Sequence, residues 1–190
     1  MNHPEVVVAV KNVELGNRIR HVLSNNCYDV LDLCVSGNEV IRRIRMFKPE
    51  VAIINYELPD ITGLEVAKII IEDRLCTAIL LTNETQKEYV ENTINDVDLV
   101  CLNKPFNKTL LLHTMELVIR SKREIRKLET ELIDLRKNLE SKKLIDQAKF
   151  VLMQKKGLSE PEAYRKIQKQ SMDSGVPMKD IAKIIIDTIQ

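Results

Sequence analysis

Five short apolar runs alternate with amphipathic segments in the first half of the chain, and this alternation constrains the fold most strongly. The first run, residues 6–10, has no polar residue at alternate positions, which is typical of a strand buried on both faces. The other four strands are predicted at residues 28–34, 51–54, 78–81 and 99–102. Because a helix is predicted after each strand, we expect an α/β domain with a five-stranded parallel sheet and helices on both faces.

The pattern changes at about residue 108, after which neither Gly nor Pro interrupts the chain until Gly157. This predicts a single helix of some 45 residues or more. Apolar residues recur in it at seven-residue spacing, which favours a coiled-coil linker at residues 118–143 and a homodimer. The expected dimerisation residues are Val118, Ile125, Leu128, Leu132, Leu135 and Leu139. The alternative is one long helix packed on its own domain.

Helix signals divide the remainder of the chain clearly. Ser159 and Glu162 form a capping-box pattern that opens one helix, Gly175 can end it, and Pro177 can open a last helix. Together with the end of the long helix, these predict an all-α three-helix domain at residues 144–190, after an N-terminal domain at residues 1–117.

The formal net charge of +1 hides an asymmetry between the two halves. Residues 1–119 hold 12 Lys and Arg against 17 Asp and Glu, whereas residues 120–190 hold 17 against 11. A basic C-terminal half is compatible with a polyanionic partner, although a solvated helix surface would give the same count.

Several function classes find no support in the sequence. No apolar run is long enough to span a membrane, and the N-terminus lacks the basic leader of a signal peptide. The four cysteines have no C-x-x-C spacing and are expected to be reduced thiols of a cytoplasmic protein. Three scattered histidines predict no metal site, and we expect neither a cofactor nor catalysis.

Ligands of parallel sheets bind beyond the carboxyl ends of the strands, so the residues there are the first candidates for a site. They are Lys11, Asn12, Asn55, Thr82 and Lys104. Together with Leu58-Pro59-Asp60-Ile61-Thr62-Gly63-Leu64 and Lys104-Pro105-Phe106, they make the first half resemble the receiver domain of two-component response regulators.

This resemblance implies a flavodoxin-like fold in which a strand-end carboxylate accepts phosphoryl and an acidic pair binds Mg²⁺. The sequence departs from that pattern: Asn55 takes the place of the phosphoacceptor, and Lys11 and Asn12 that of the acidic pair. Cys101 replaces the aromatic residue that signals phosphorylation in the family. We therefore predict a degenerate, phosphorylation-deficient pocket, with the Lys11 ammonium near the metal position and Lys104 bonded to strand-end carbonyls or to Asn55.

The C-terminal segment resembles the ANTAR domain, an antiterminator RNA-binding module. The matching residues are Ile145, Gln147-Ala148-Lys149, Leu152-Met153, Gly157-Leu158-Ser159, Glu162-Ala163-Tyr164, Ser171-Met172, Ala182 and Ile185. Receiver, coiled coil and ANTAR in this order are similar to the transcription antiterminators of amidase, nitrate and ethanolamine operons. The resemblance implies a dimer that binds paired stem-loops in nascent leader mRNA, prevents terminator formation and is controlled by a ligand-sensing regulatory protein.

Looped RNA is read by aromatic and arginine planes assisted by cations at the phosphates. The expected RNA-binding residues are Lys149, Tyr164, Arg165, Gln168, Lys169 and Ser171. For Tyr164 the alternative is core packing with Met153 and Ile185. The alternative function is a protein-interaction scaffold whose two domains are both docking domains; DNA binding is less well supported, because no helix-turn-helix pattern is evident.

Overall fold

The computed structural model describes residues 3–93 and 98–189. The chain divides into two compact units, Met1–Glu124 and Ile125–Gln190, which are considered separately. The strands are β1 (Glu5–Ala9), β2 (Asp29–Cys34), β3 (Val51–Asn55), β4 (Thr77–Thr82) and β5 (Leu99–Asn103). The helices are α1 (Val13–Ser24), α2 (Gly37–Phe47), α3 (Gly63–Glu72), α4 (Glu84–Thr93), α5 (Lys108–Lys156), α6 (Glu160–Ser174) and α7 (Met178–Ile189).

The first unit contains the predicted five-stranded parallel sheet, with the strand order β2-β1-β3-β4-β5. The flavodoxin-like fold and the helix after each strand are therefore confirmed. Element bounds differ from the prediction by one or two residues. For example, β1 spans Glu5–Ala9 where residues 6–10 were expected. The helix α1 begins at Val13, because the Asn12 side chain caps it and accepts from the backbone N–H of Glu14 and Leu15.

Alternate residues of the central strands face opposite sides of the sheet, as strand geometry requires. Val7 and Ile54 pack with α2 and α3, whereas Val8 and Ile53 pack with α1 and the first part of α5. The sheet is thus covered on both faces. The carboxyl ends of β3, β4 and β5 lie side by side at one edge of the sheet.

In the second unit, the end of α5 forms a three-helix bundle with α6 and α7. Its core consists of small and branched residues: Ala148, Leu152, Ala163, Ile167, Ile181, Ala182 and Ile185. The predicted caps are present, with a Ser159–Glu162 capping box at the start of α6 and Gly175 in the left-handed conformation after its end.

The residues expected in the coiled-coil seam fall into two groups. Val118 is only 6% exposed and packs in the core of the first unit with Met115 and Ile119. Its assignment to a dimer seam is therefore wrong, because its side chain is already buried within its own unit. In the second unit Leu128, Leu132, Leu135 and Leu139 are exposed, and Ile125 is half-buried.

Over the described part of the chain, no helix combines the length and the apolar character needed to cross a membrane. Across residues 3–93 and 98–189, the His, Cys, Asp and Glu side chains form no group suited to holding a metal ion.

Candidate functional site

Asn55 lies at the end of β3 and is held by two hydrogen bonds at the edge of the sheet. The Lys104 ammonium donates to Asn55 Oδ1 at 2.9 Å, which is one of the two arrangements expected from the sequence. Asn55 Nδ2 donates in turn to the backbone oxygen of Glu57 at 2.8 Å. An amide carries no anionic oxygen, so this arrangement positions Asn55 without giving it a nucleophile.

Thr82 ends the neighbouring strand β4 and has no solvent exposure. Its hydroxyl donates to Asn103 Oδ1 at the end of β5, at 2.9 Å, and Asn103 Nδ2 donates to Glu84 Oε2 at 3.1 Å. A buried hydroxyl needs such a partner, since an unmade bond costs about 1–3 kcal/mol. The Thr82 hydroxyl is thus used within the fold.

Lys11 and Asn12 follow β1 and take the places that the receiver resemblance gives to the acidic pair. The carboxamide oxygen of Asn12 caps α1, at 2.9 Å from the Glu14 nitrogen and 3.2 Å from the Leu15 nitrogen. Lys11 is exposed. The structure therefore brings Asn55 and Lys104 into contact, whereas Asn12 is turned into the start of a helix.

Gly63, the first residue of α3, permits the close packing behind Asn55. A Cβ added to Gly63 would clash with the backbone oxygen of Asn55. The Gly63 N–H donates to the backbone oxygen of Tyr56 at 2.8 Å, which draws the start of α3 against the end of β3. Only glycine allows this close approach, so Gly63 determines how closely the start of α3 packs against the backbone of Asn55.

Asp60 connects the loop after β3 to α2, a role that the sequence analysis did not assign. Its carboxylate accepts from the backbone N–H of Asn38 at 2.9 Å and of Gly37 at 2.7 Å. These bonds hold the pKa of the Asp60 carboxyl well below its usual range. Both contacts join residues more than twenty positions apart, so no local sequence pattern could have indicated them.

The outer face of α6 presents four of the six residues that were expected to bind RNA. Tyr164 is 43% exposed and is not part of the buried cluster, which leaves ring surface available to a partner. Arg165, Gln168 and Lys169 are exposed as well. Among the described residues, Arg165 and Lys169 form no hydrogen bond or ion pair. The capping bonds from Ser159 and the nearby Arg165 charge lower the pKa of Glu162.

Lys149 and Ser171 are engaged inside the second unit instead. The Lys149 ammonium lies 2.8 Å from both Asp146 and Glu160 and so joins α5 to the first turn of α6. These two carboxylates, Asp146 foremost, raise the pKa of Lys149 to about 12. The Ser171 hydroxyl donates to the backbone oxygen of Val176 at 2.5 Å. Neither side chain therefore has its polar group free, and both fit a structural role better than direct RNA contact.

Phe150 was missed as a candidate, although it is 61% exposed on α5. Helical spacing could have indicated it, because Phe150 lies about 200° around the helix from the buried Ala148. An exposed aromatic ring in this unit offers a stacking surface in addition to Tyr164.

Two of the four cysteines, Cys34 and Cys76, are buried in the first unit. All four cysteines are free thiols, and burial raises the pKa of Cys34 and of Cys76 to about 12. A thiol with such a pKa stays protonated near neutrality and is a poor nucleophile.

Comparison with known proteins gives two domain matches on this one chain. Residues 7–116 match the response regulator receiver domain and residues 134–186 match the ANTAR domain. The chain is 29% identical over 184 residues to the transcriptional regulatory protein PdtaR of Mycobacterium tuberculosis, covering 97% of this chain and 90% of that protein.

Two further similarities are partial. A 72-residue stretch, 38% of this chain, is 35% identical to 18% of the nitrate regulatory protein of Klebsiella oxytoca. The signal receiver domain of an HD domain-containing protein from Pseudomonas fluorescens Pf-5 superposes with a TM-score of 0.59 at 19% identity, over 67% of this chain and 94% of that one. The structural likeness supports the receiver fold alone.

Proposed function

The chain belongs to the response regulator receiver family and ends in an ANTAR domain, and on this premise we propose that it is an RNA-binding transcription antiterminator. In this proposal a homodimer binds paired stem-loops in nascent leader mRNA and prevents the terminator from forming. Its domains are the receiver at residues 1–117, the coiled-coil linker at residues 118–143 and the ANTAR domain at residues 144–190.

The observation that carries the proposal is the outer face of α6. It combines a half-exposed aromatic ring, an amide and two cations that form no ion pair or hydrogen bond among the described residues: Tyr164, Gln168, Arg165 and Lys169. Stacking on aromatic rings and cationic contacts to phosphate are the interactions by which single-stranded loops are bound. We assign Arg165 and Lys169 to phosphates or base edges, and Tyr164 and Gln168 to bases.

We further propose that the receiver works without aspartate phosphorylation. Asn55 lacks an anionic oxygen, its amide is held by Lys104, and Asn12 caps a helix instead of binding Mg²⁺. The predicted position of the Lys11 ammonium near the metal site stays part of this proposal. Control then comes from a regulatory protein that docks on the receiver and masks it, or from the amount of protein in the cell.

Dimerisation is proposed to occur through the exposed leucines of α5. Leu128, Leu132, Leu135 and Leu139 alternate at four- and three-residue spacing, which places them on one face of the helix. Because Val118 is buried in the first unit, the proposed seam begins at Ile125.

The RNA-binding proposal is tested by fluorescence anisotropy of the full chain against a labelled paired stem-loop leader RNA. Duplex DNA of the same sequence is the control. We expect selective RNA binding whose affinity falls steeply with salt, because phosphate contacts release counterions. Equal binding of RNA and DNA, or none at all, would favour the interaction-scaffold alternative.

The dimer is tested separately by sedimentation velocity. Leu135→Lys should convert the dimer to monomer, since a charge would replace an apolar seam contact. Ile133→Lys is the matched control, because Ile133 is also exposed but lies off the leucine face. If both variants, or neither, become monomeric, the seam is assigned incorrectly.

A further inference from the structure

A groove in the first unit lies between α1 and the segment that leads from β5 into α5. Its volume is about 370 Å³. The floor is apolar and is formed by Leu15, Ile19 and Val22 of α1 together with Phe106 and Leu111. A concave site of this size lies within the range of pockets that hold small ligands.

The rim of this α1–α5 groove is cationic. Arg18, Lys104 and Lys108 line it, and the lining within the described residues includes neither Asp nor Glu. The contrast with the surrounding half of the chain is marked, because residues 1–119 carry 17 acidic side chains against 12 basic ones. Three cations beside an apolar floor complement a ligand that has one acidic group and one hydrocarbon part.

Lys104 belongs both to this groove and to the edge of the sheet. Its ammonium donates to Asn55 Oδ1 at 2.9 Å, at the place where the receiver fold has its phosphoacceptor. An anion in the groove would compete with the neutral Asn55 amide for this ammonium, since bonds between charged partners are roughly twice as strong as neutral ones. Occupancy of the groove could therefore be sensed at Asn55.

We propose that the α1–α5 groove binds a free anionic amphiphile, a carboxylate with a medium-length hydrocarbon tail, and that binding draws Lys104 away from Asn55. The carboxylate pairs with Arg18 and Lys108, and the tail lies on Ile19 and Phe106. The receiver thereby gains a chemical input that replaces phosphoryl transfer. This inference goes beyond RNA binding and does not depend on it.

Binding is tested by isothermal titration of the full-length protein with decanoate below its micelle concentration. Decanol and decyltrimethylammonium supply the same tail with a neutral and a cationic headgroup. We expect saturable binding of decanoate only. The double variant Arg18→Gln with Lys108→Gln should weaken it at least tenfold.

The matched control is Arg42→Gln with Lys68→Gln, which removes the same charge from exposed positions on α2 and α3. This variant should bind decanoate within twofold of the unaltered protein. Equal binding of decanol, or unchanged affinity in the groove variant, would overturn the proposal. So would binding confined to anionic vesicles or to an acidic helical peptide, which are the other partners that a cationic apolar groove could accept.

The connection to Asn55 is read by NMR of its side-chain amide. Saturating decanoate should shift this resonance in the unaltered protein and leave it in place in Lys104→Met. Binding without any change at Asn55 would refute the connection. Neither experiment contains RNA, so failure here and failure of the RNA-binding proposal are distinguished.

Discussion

The polar side chains at the edge of the sheet and those on the outer face of α6 differ in whether they are hydrogen-bonded within their own unit. At the edge, Asn55, Thr82 and Lys104 are hydrogen-bonded within the unit. On α6, Arg165 and Lys169 are exposed and have no bonded partner among the described residues. A buried polar group is costly to leave unbonded, whereas an exposed cation keeps its charge for an outside partner. The comparison separates groups that hold the fold from groups available for binding.

The largest effect is expected for Gly63→Ala, which tests the close packing at the hydrogen-bonded edge of the sheet. The added methyl would meet the backbone oxygen of Asn55, and we expect the free energy of unfolding of the first unit to fall by about 2–3 kcal/mol. Thermal denaturation, followed by the spectroscopic signal of the β-strands in the first unit, measures this loss. Gly157→Ala, measured by unfolding of the second unit, is the control, because Gly157 has open space around it and only its positive φ opposes alanine, at a cost of about 1 kcal/mol. Equal losses at both glycines would contradict the tight packing at Asn55.

The outer face of α6 is tested by the double variant Arg165→Ala with Lys169→Ala. Loss of two phosphate or base contacts should weaken RNA binding about tenfold, or roughly 1.4 kcal/mol, and make it less dependent on salt. Lys179→Ala with Lys183→Ala removes the same charge at the same spacing from exposed positions on α7. Anisotropy should show little change for this control. If the two double variants weaken binding equally, the effect is net charge and the α6 assignment fails.

Lys104→Met distinguishes the two regions directly. It removes the donor to Asn55 Oδ1, and we expect the first unit to lose about 1–2 kcal/mol of stability. RNA affinity should stay within twofold, because Lys104 lies in the first unit and the proposed RNA contacts lie on α6. Urea unfolding and anisotropy on the same sample measure both quantities. A large loss of RNA affinity without a loss of stability would mean that Lys104 acts in RNA binding and not in stabilising the first unit.

The smallest effect is expected for the Asp60 carboxylate, which joins the loop after β3 to α2. Because its pKa is lowered in the folded state, its stabilising contribution is present above the unfolded pKa of about 4 and is lost as the pH falls below that value. Hydrogen exchange of the amides near Gly37 and Asn38, measured between neutral and acidic pH, reports this loss. Asp60→Asn should make the same amides less sensitive to pH, and an unchanged profile would exclude Asp60 as the cause.

Much of the fold could be predicted from local chemistry. The uninterrupted apolar run at residues 6–10 indicated a buried strand. Ser159 and Glu162 mark the start of α6 through a capping box, and Gly175 ends it in the left-handed conformation. The contact between Asn55 and Lys104 could also be predicted, because the two residues lie at the carboxyl ends of strands in one parallel sheet.

The differences between the expectations from the sequence and the structure have a common physical origin. Seven-residue spacing marks Val118 as apolar and periodic, but it cannot say whether the residue faces its own sheet or another chain. The charge of Lys149 suggests a phosphate partner, yet a long flexible side chain reaches Glu160 eleven residues away. Asp60 depends on a loop geometry that no periodicity encodes. Patterns thus identify the character of a residue, and tertiary packing selects its partner.

The strand order has a consequence for folding during synthesis. Strand β1 is made first but lies between β2 and β3, and Val6 pairs with Val51 on the β3 side. One edge of this apolar strand therefore stays unpaired until β3 has left the ribosome. The three-helix bundle at the other end of the chain depends on contacts between near neighbours, which form rapidly. The slow step belongs to the first unit, and the exposed edge of β1 is where the nascent protein is most open to misassembly.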